Sequence, residues 1–186
     1  IGHQHDVLRG LIEGLPKADM TRIACAPEFS NLMAFHWGGY ALHLHYTYRF
    51  ETLADERALW QGLRDNTRNH CRKAEKTVAV TTERTLADIM PVLDATYRRQ
   101  SVDFSASYAV IERIDATMRE RGQRIIYAAE DASGRIHAFA YVVHDERHAF
   151  YLVGGADPTL RESGAQSLVV WHALKGASAH SRAFDF

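Results

Sequence analysis

The sequence has little cysteine and no long apolar run. Only two of its 186 residues are cysteine, Cys25 and Cys71, and they form no CxxC pair. This excludes a disulfide-built scaffold and a paired-cysteine zinc site. No segment approaches the roughly 20 consecutive apolar residues of a membrane helix, and no basic stretch with an apolar signal region opens the chain. These absences predict a soluble protein of the reducing cytoplasm.

Neither sign of charge is in excess. The chain has 22 Lys+Arg and 23 Asp+Glu, a formal net charge of −1, which excludes binding of a polyanion over the whole surface. With 46% hydrophobic and 24% charged residues, the composition is that of a globular protein with a substantial core, and it disfavours disorder or a coiled coil. The length fits one domain, or one domain and part of another.

Hydrophobic periodicity predicts an alternation of helices and strands. We expect helices over 4–15, 54–75, 85–100, a stretch ending at Gly122, and 165–179, and strands over 21–26, 40–50, 77–82, 124–130, 135–143, 149–154 and 182–186. Thr85 is the predicted cap of one helix, and Ser105 or Ser107 that of the next. Short polar turns separate three successive strands, which predicts an antiparallel meander. The order predicts a mixed α/β (α+β) domain with helices covering a central sheet.

Glycines and small residues connect the last meander strand with the last long helix. Gly154 and Gly155 end the strand, and Gly164 and Ala165 begin the helix, where free backbone N–H groups attract an anion. Arg161 adds a guanidinium group to the same place. Room is left there for a pyrophosphate or a carboxyl group, although an ordinary strand-to-helix turn explains the spacing as well.

The segment Arg161-Glu-Ser-Gly164-Ala165 resembles the acyl-donor loop of the GNAT superfamily, Arg/Gln-x-x-Gly-x-Gly/Ala, with Gln166 at the final small position. Three further segments extend the resemblance over nearly the whole chain: WGGYALHLHYTYRF, RNHCRKAEKTVAV and the closing FDF. Together the segments are similar to the FemAB-like and CelD-like branch of GNAT-fold acyltransferases. The resemblance implies a mostly antiparallel central sheet flanked by helices.

Two GNAT-like units are commonly fused in that branch. We therefore expect residues 1–50 to be the C-terminal part of a first unit and residues 51–186 to be a second unit, truncated at its C-terminus. The chain opens at Ile1 and stops at Phe186 within a predicted strand, so it is expected to be a fragment of a longer tandem protein.

The resemblance implies an N-acyltransferase that moves an acyl group from an activated donor to an amine by direct attack. Acyl-CoA is the leading donor, and Gly154, Gly155, Arg161, Gly164 and Ala165 would bind it. A second possibility is FemAB-type transfer of an amino acid from aminoacyl-tRNA to a peptidoglycan precursor in cell-envelope biosynthesis. A third is a module that binds a phosphate-bearing ligand without turnover.

Direct attack needs a stabilised oxyanion and an acceptor for the proton of the amine. Tyr151 is a candidate to donate to the leaving group or to orient the substrate. Asp185 is a candidate to hold the attacking ammonium group or to accept its proton. A core aromatic residue and a solvent-facing strand residue are the respective structural alternatives. Ser163, Ser167, Cys25 and Cys71 lack the surroundings of a covalent nucleophile.

Basic residues recur at four-residue intervals ahead of the strand over 77–82. They are Arg64, Arg68, Arg72 and Lys76, with Lys73 adjacent. Such spacing predicts one helix face, and residues 62–76 hold five basic and only two acidic side chains. This stripe is a candidate to contact the phosphates of a tRNA, of coenzyme A or of a nucleotide-linked substrate. A solvated helix face is the alternative.

Eleven histidines are present, among them His43 and His45, whose side chains would share one face of a strand. A zinc site needs further ligands, and none stands nearby at a recognised spacing. The sequence therefore predicts no metal site, and it predicts structural positions for His144, His148 and His172.

Overall fold

The structure is a computed structural model that describes residues 2–101 and 108–186. The chain divides into two compact units, Ile1–Tyr46 and Thr47–Phe186. Because the second unit begins before residue 50, it includes the last residues of the segment that the sequence analysis assigned to the first.

The first unit contains two helices, α1 (Gly2–Glu13) and α2 (Met33–Trp37). Leu8 of α1 and Phe35 of α2 meet in a small apolar core. The predicted strand over 21–26 is wrong, and of the strand predicted over 40–50 only Arg49 and Phe50 are a strand in the structure. An alternating pattern forms a strand only where a partner completes the hydrogen-bonded ladder, and the side chains of residues 41–48 are all exposed.

The second unit is built around a six-stranded sheet. Its strands are β1 (Arg49–Phe50), β2 (Ala79–Thr81), β3 (Arg124–Glu130), β4 (Ile136–His144), β5 (His148–Ala156) and β6 (Ala183–Asp185). Their order is β1-β6-β5-β4-β3-β2, and every neighbouring pair is antiparallel except β5 and β6. The predicted meander and the mostly antiparallel sheet are confirmed.

The helices of this unit are α3 (Glu56–Gly62), α4 (Asp65–Ala74), α5 (Leu86–Arg99), α6 (Tyr108–Glu120) and α7 (Ala165–Ala177). The single helix predicted over 54–75 is wrong, because Leu63 and Arg64 are extended and divide it. The predicted cap at Thr85 is confirmed by a reciprocal capping box with Asp88. Ser105 and Ser107 lie outside the described residues.

Two apolar cores cover the faces of the sheet. On one face, Leu168 and Leu174 of α7 pack with Cys71 of α4 and with Phe184 of β6. On the other, residues of α5 and α6 pack against Phe139. This close packing fixes α7 against the sheet, and it thereby holds the first turn of the helix in place.

Within residues 2–101 and 108–186, no helix has the length and apolarity needed to cross a membrane.

Candidate functional site

A cavity of about 410 Å³ opens at the N-terminus of α7. Helix α4, strands β4 and β5, and the 3₁₀ turn Arg161–Ser163 enclose it. The lining residues are His70, Lys73, His137, Ala156, Arg161, Glu162, Ser163, Gly164, Ala165, Gln166 and Ser167. Three of the five predicted donor-loop residues, Arg161, Gly164 and Ala165, therefore line one cavity.

Gly164 allows the loop to turn into α7 beside α4. Its φ of +79° lies in the left-handed region, which favours glycine. A Cβ atom at this position would lie 2.7 Å from the carbonyl oxygen of His70. Two separate features therefore require glycine at position 164: the left-handed backbone conformation and the close approach of α4.

The charged groups of the cavity favour an anion. Lys73 and Arg161 bring two positive charges, against the single carboxylate of Glu162, and the Lys73 ammonium group donates to the Glu162 carbonyl oxygen. The N-terminus of α7 adds the positive end of its macrodipole. Its own N–H groups are partly engaged, since Ala165 donates to Ser163 Oγ at 3.3 Å. Side chains therefore supply much of the attraction.

Gly154 and Gly155 do not line the cavity. A Cβ atom on Gly154 would lie 1.6 Å from the hydroxyl oxygen of Tyr151, and one on Gly155 would lie 2.6 Å from Thr96 Oγ1. The structure thus gives these two glycines a packing role, which is to admit neighbouring side chains. Donor binding by them stays a prediction.

Tyr151 projects toward the first turn of α7. Its hydroxyl oxygen accepts a hydrogen bond from Gln166 Nε2 at 2.9 Å. Burial raises the pKa of Tyr151 to about 12, although the hydrogen bond from Gln166 lowers it in part. The phenol is therefore protonated at neutral pH, as a hydrogen-bond donor to a leaving group must be.

Asp185 lies on the opposite face of the sheet from Tyr151. The register of β5 and β6 places Asp185 beside Phe150, while the rings of Tyr151 and Phe186 lie 6.0 Å apart. Successive side chains of a strand leave opposite faces. Asp185 is buried and accepts from Thr47 Oγ1 at 2.5 Å. The structure therefore does not bring the two predicted catalytic residues together.

The predicted basic stripe does not form one helix face. Arg64 precedes α4 and Lys76 follows it, because the helix runs only from Asp65 to Ala74. Arg68 donates to the carbonyl oxygens of Gln61, at 2.8 Å, and of Leu63.

The two other basic residues of α4 have different surroundings. The guanidinium of Arg72 lies 5.8 Å from the centroid of the Trp60 ring. Lys73 alone among the five predicted residues lines the cavity. Phosphate contacts by Arg64, Arg68, Arg72 and Lys76 stay predictions.

Two histidines of the cavity, His70 and His137, are not predicted by any pattern in the sequence. His70 stands between the basic residues of α4, and His137 follows the turn that begins at Asp131. Neither has a motif of its own. Their shared position depends on how α7 packs against both α4 and β4, which no local pattern records.

The paired histidines and Cys71 are the remaining groups that were weighed as metal ligands or nucleophiles and not favoured. Within the described residues, no group of three or more His, Cys, Asp or Glu side chains is placed to hold a metal ion. His43 and His45 are exposed. Burial raises the pKa of the Cys71 thiol to about 11, which disfavours the thiolate that a nucleophile requires.

Residues 61–186 match the family described as Acetyltransferase (GNAT) domain. Among solved structures, the chain is similar to FemX, with a TM-score of 0.65 and 11% identity over 75% of this chain and 52% of that one. It is also similar to a conserved protein of unknown function from Bacteroides thetaiotaomicron VPI-5482, with a TM-score of 0.53 and 16% identity over 75% of this chain and 49% of the other.

The chain thus spans about half the length of these two solved chains. At such identities the similarity shows a shared fold. Among curated proteins, none matches the sequence significantly.

Proposed function

The chain belongs to the GNAT acetyltransferase domain family, and from this membership we propose that it transfers an acyl group from a phosphate-bearing donor to an amine. The observation that carries the proposal is the cavity at the start of α7. It combines two cationic side chains, Lys73 and Arg161, with a helix N-terminus and the left-handed Gly164. Such a site suits the phosphates of an activated donor.

The proposed reaction is direct attack of a neutral amine on the acyl carbonyl carbon. A new C–N bond forms, the bond from the carbonyl carbon to the donor's leaving atom breaks, and the amine loses a proton to a base or to water. Tyr151 would donate a hydrogen bond to the leaving group, because its raised pKa keeps the phenol protonated. Asp185 would not contact the leaving group, since it lies on the other face of the sheet from Tyr151.

Acyl-CoA is the proposed donor. The cavity is close in volume to known small-molecule sites, and its cationic residues lie where a diphosphate would meet the helix N-terminus. The acceptor is proposed only as an amine. The proposal concerns the described domain, which spans about half of each similar solved chain.

A second candidate is FemAB-type transfer from aminoacyl-tRNA to a peptidoglycan precursor. The fold shared with FemX supports this second candidate. Both donors carry phosphates that suit the same cavity. A module that binds a phosphate-bearing ligand without turnover is the third candidate.

A thermal-shift titration distinguishes the two proposed donors, because a ligand that binds only the native state raises the unfolding temperature. The ligands are coenzyme A, acetyl-CoA and an aminoacylated acceptor-stem RNA. A shift with coenzyme A and acetyl-CoA supports the acyl-CoA donor, and a shift with the RNA alone supports the FemAB-type donor. No shift with any ligand contradicts the proposed use of the cavity.

The variant Arg161→Ala tests whether the donor binds at this cavity. Loss of its guanidinium should raise the Kd of the donor and leave the rate at saturating donor nearly unchanged, since the contact holds the ground state and the transition state alike. The matched control is Arg121→Ala, which removes an exposed arginine that does not line the cavity. An unchanged donor Kd in Arg161→Ala would remove this residue from the site.

A further inference from the structure

His137 is buried at the wall of the cavity, and one of its ring nitrogens has no hydrogen-bond partner within the described part of the chain. The residue is only 8% exposed, and it lines the cavity from β4. Its Nδ1 has no hydrogen-bond partner among the residues that the structure describes. Buried polar atoms are nearly always paired, and a ligand that enters the cavity beside His137 is one source of the partner that this nitrogen lacks.

The other ring nitrogen is held by a carboxylate. His137 Nε2 lies 3.2 Å from Asp131 Oδ2. Hydrogen bonds within the β3–β4 hairpin hold Asp131 in place. Its carboxylate accepts from the backbone N–H of Ser133 at 2.9 Å and from Arg135 Nε at 2.9 Å. Hydrogen bonds from Ser133, Arg135 and His137 hold the pKa of Asp131 well below its usual range. The ionised carboxylate therefore fixes the orientation of the imidazole.

This arrangement decides which chemistry Nδ1 can offer. A carboxylate at Nε2 favours a proton on that nitrogen, so Nδ1 is the ring atom left to meet a ligand, and it donates to an anion when the ring carries both protons. The nearby cations Lys73 and Arg161 repel a cationic ligand and attract an anionic one. A phosphoryl oxygen satisfies all of these groups, because it accepts hydrogen bonds and carries negative charge.

We propose that His137 is a phosphate ligand of the donor, and that Asp131 is the positioning residue that orients its ring. This inference rests on the proposed function, and it adds a residue outside the loop that begins α7. The phosphate would lie between β4 on one side and α4 with the 3₁₀ turn on the other. Donor recognition would then depend on the β3–β4 hairpin as well as on the glycine-containing loop.

The direct test is a ¹⁵N-histidine NMR titration of the whole chain with inorganic pyrophosphate, with coenzyme A and with the acceptor-stem RNA. The ring nitrogen signals of His137, assigned by their loss in His137→Gln, should shift with pyrophosphate and with the true donor. No shift of these signals by any of the three probes would overturn the inference. The ligand response is measured on the wild-type protein, and the variant serves only to assign the signals.

Binding affinities supply the second test. By calorimetry, His137→Gln should weaken binding of coenzyme A by about tenfold, the usual cost of one hydrogen bond to a charged group. The matched control His172→Gln alters a half-buried histidine of α7 that does not line the cavity, and its affinity should equal that of the wild type. Equal affinities in all three proteins would contradict the inference.

Asp131→Asn tests the positioning role. Without the carboxylate charge, the ring nitrogen signals of His137 should change in the absence of any ligand, and coenzyme A should bind less tightly than to the wild type but more tightly than to His137→Gln. A merely structural Asp131 would lower the unfolding temperature without altering these signals. Unaltered signals would therefore reject the positioning role.

The outcomes separate this inference from the proposed function. If coenzyme A binds and His137 does not respond, the acyl-CoA donor stands and the role of His137 is overturned. If pyrophosphate moves the His137 signals but neither coenzyme A nor the RNA binds, the phosphate ligand stands and both proposed donors are rejected. If no probe binds, both proposals fail.

Discussion

The contact between Gly164 and the His70 carbonyl oxygen shows how one residue shapes the cavity. A Cβ atom at Gly164 would lie 2.7 Å from that oxygen, so any other residue would have to move α4 or the turn. Gly134 has the same φ of +79°, but its nearest neighbour would be the Arg84 guanidinium at 3.8 Å. The two glycines share a backbone conformation and differ only in the space around them.

We therefore predict that Gly164→Ala destabilises the chain more than Gly134→Ala does. The left-handed conformation alone should cost about 1 kcal/mol in Gly134→Ala, whereas the added clash should bring the cost in Gly164→Ala to about 2–3 kcal/mol. Urea unfolding followed by circular dichroism measures both. Equal losses would mean that α4 moves away freely.

His144 gives a residue-scale prediction about pH. Its ring stacks on that of His180, with centroids 4.6 Å apart, and burial together with the charge of His180 lowers the pKa of His144. Below about pH 6.5 the unfolded chain takes up a proton that the folded chain resists. The contribution of neutral His144 to stability is therefore complete above that pH, and it is lost as the pH falls from there through the lowered pKa.

His144→Gln should accordingly make the unfolding temperature less dependent on pH between 7.5 and 5. Some dependence should remain, since burial also lowers the pKa of His172. The control His43→Gln changes an exposed imidazole of the first unit. Scanning calorimetry at the two pH values measures the slope, and a slope equal to that of the wild type in His144→Gln would contradict the prediction.

At the scale of elements, the corner between α3 and α4 explains why the basic stripe is divided. The last carbonyl groups of α3 have no partner within the helix, and Arg68 reaches back to those of Gln61 and Leu63. Its side chain is only 20% exposed. The guanidinium thus has a structural function that its spacing in the sequence did not indicate.

Arg68→Gln should lower the free energy of unfolding by about 1 kcal/mol, because the carbonyl groups of Gln61 and Leu63, which are exposed or only partly buried, lose a charged donor. The control Arg64→Gln replaces an exposed arginine one turn earlier and should change it by less than about 0.5 kcal/mol. Chemical denaturation measures both. If Arg68→Gln leaves stability unchanged but weakens donor binding in a salt-dependent manner, Arg68 contacts phosphate instead.

At the scale of the whole molecule, the division into two units has a direct consequence. The six-stranded sheet and its two apolar cores lie entirely within residues 47–186. The first unit has a separate small core around Leu8, Ala34 and Phe35. We infer that the second unit folds without the first.

A chain of residues 47–186 should therefore unfold cooperatively, with a midpoint within a few degrees of that of the second unit in residues 1–186. A chain of residues 51–186, which lacks β1, should be less stable, because Phe184 and Asp185 of β6 lose their strand partners. Calorimetry and the dispersion of amide NMR signals test both. Loss of cooperative unfolding in 47–186 would show that the sheet needs the first unit.

The sequence by itself determined the features that neighbouring residues encode. The bounds predicted for β3, 124–130, agree with the structure, as do the helix cap at Thr85 and the start of α7 at Ala165. Periodicity, capping and turn chemistry act over a few residues, so one sequence is enough to reveal them. The GNAT resemblance also rested on local segments, and the family match confirms it.

Only the tertiary structure decided which of these elements meet. The alternating pattern of residues 40–48 found no strand partner, and the register of β5 with β6 separated Tyr151 from Asp185. His137 reached the cavity through the packing of β4 against α7 and the 3₁₀ turn. Strand pairing and helix packing join residues far apart in the chain, and one change of register moves a side chain to the other face. For that reason the donor loop was visible in the sequence, whereas the histidine beside it was not.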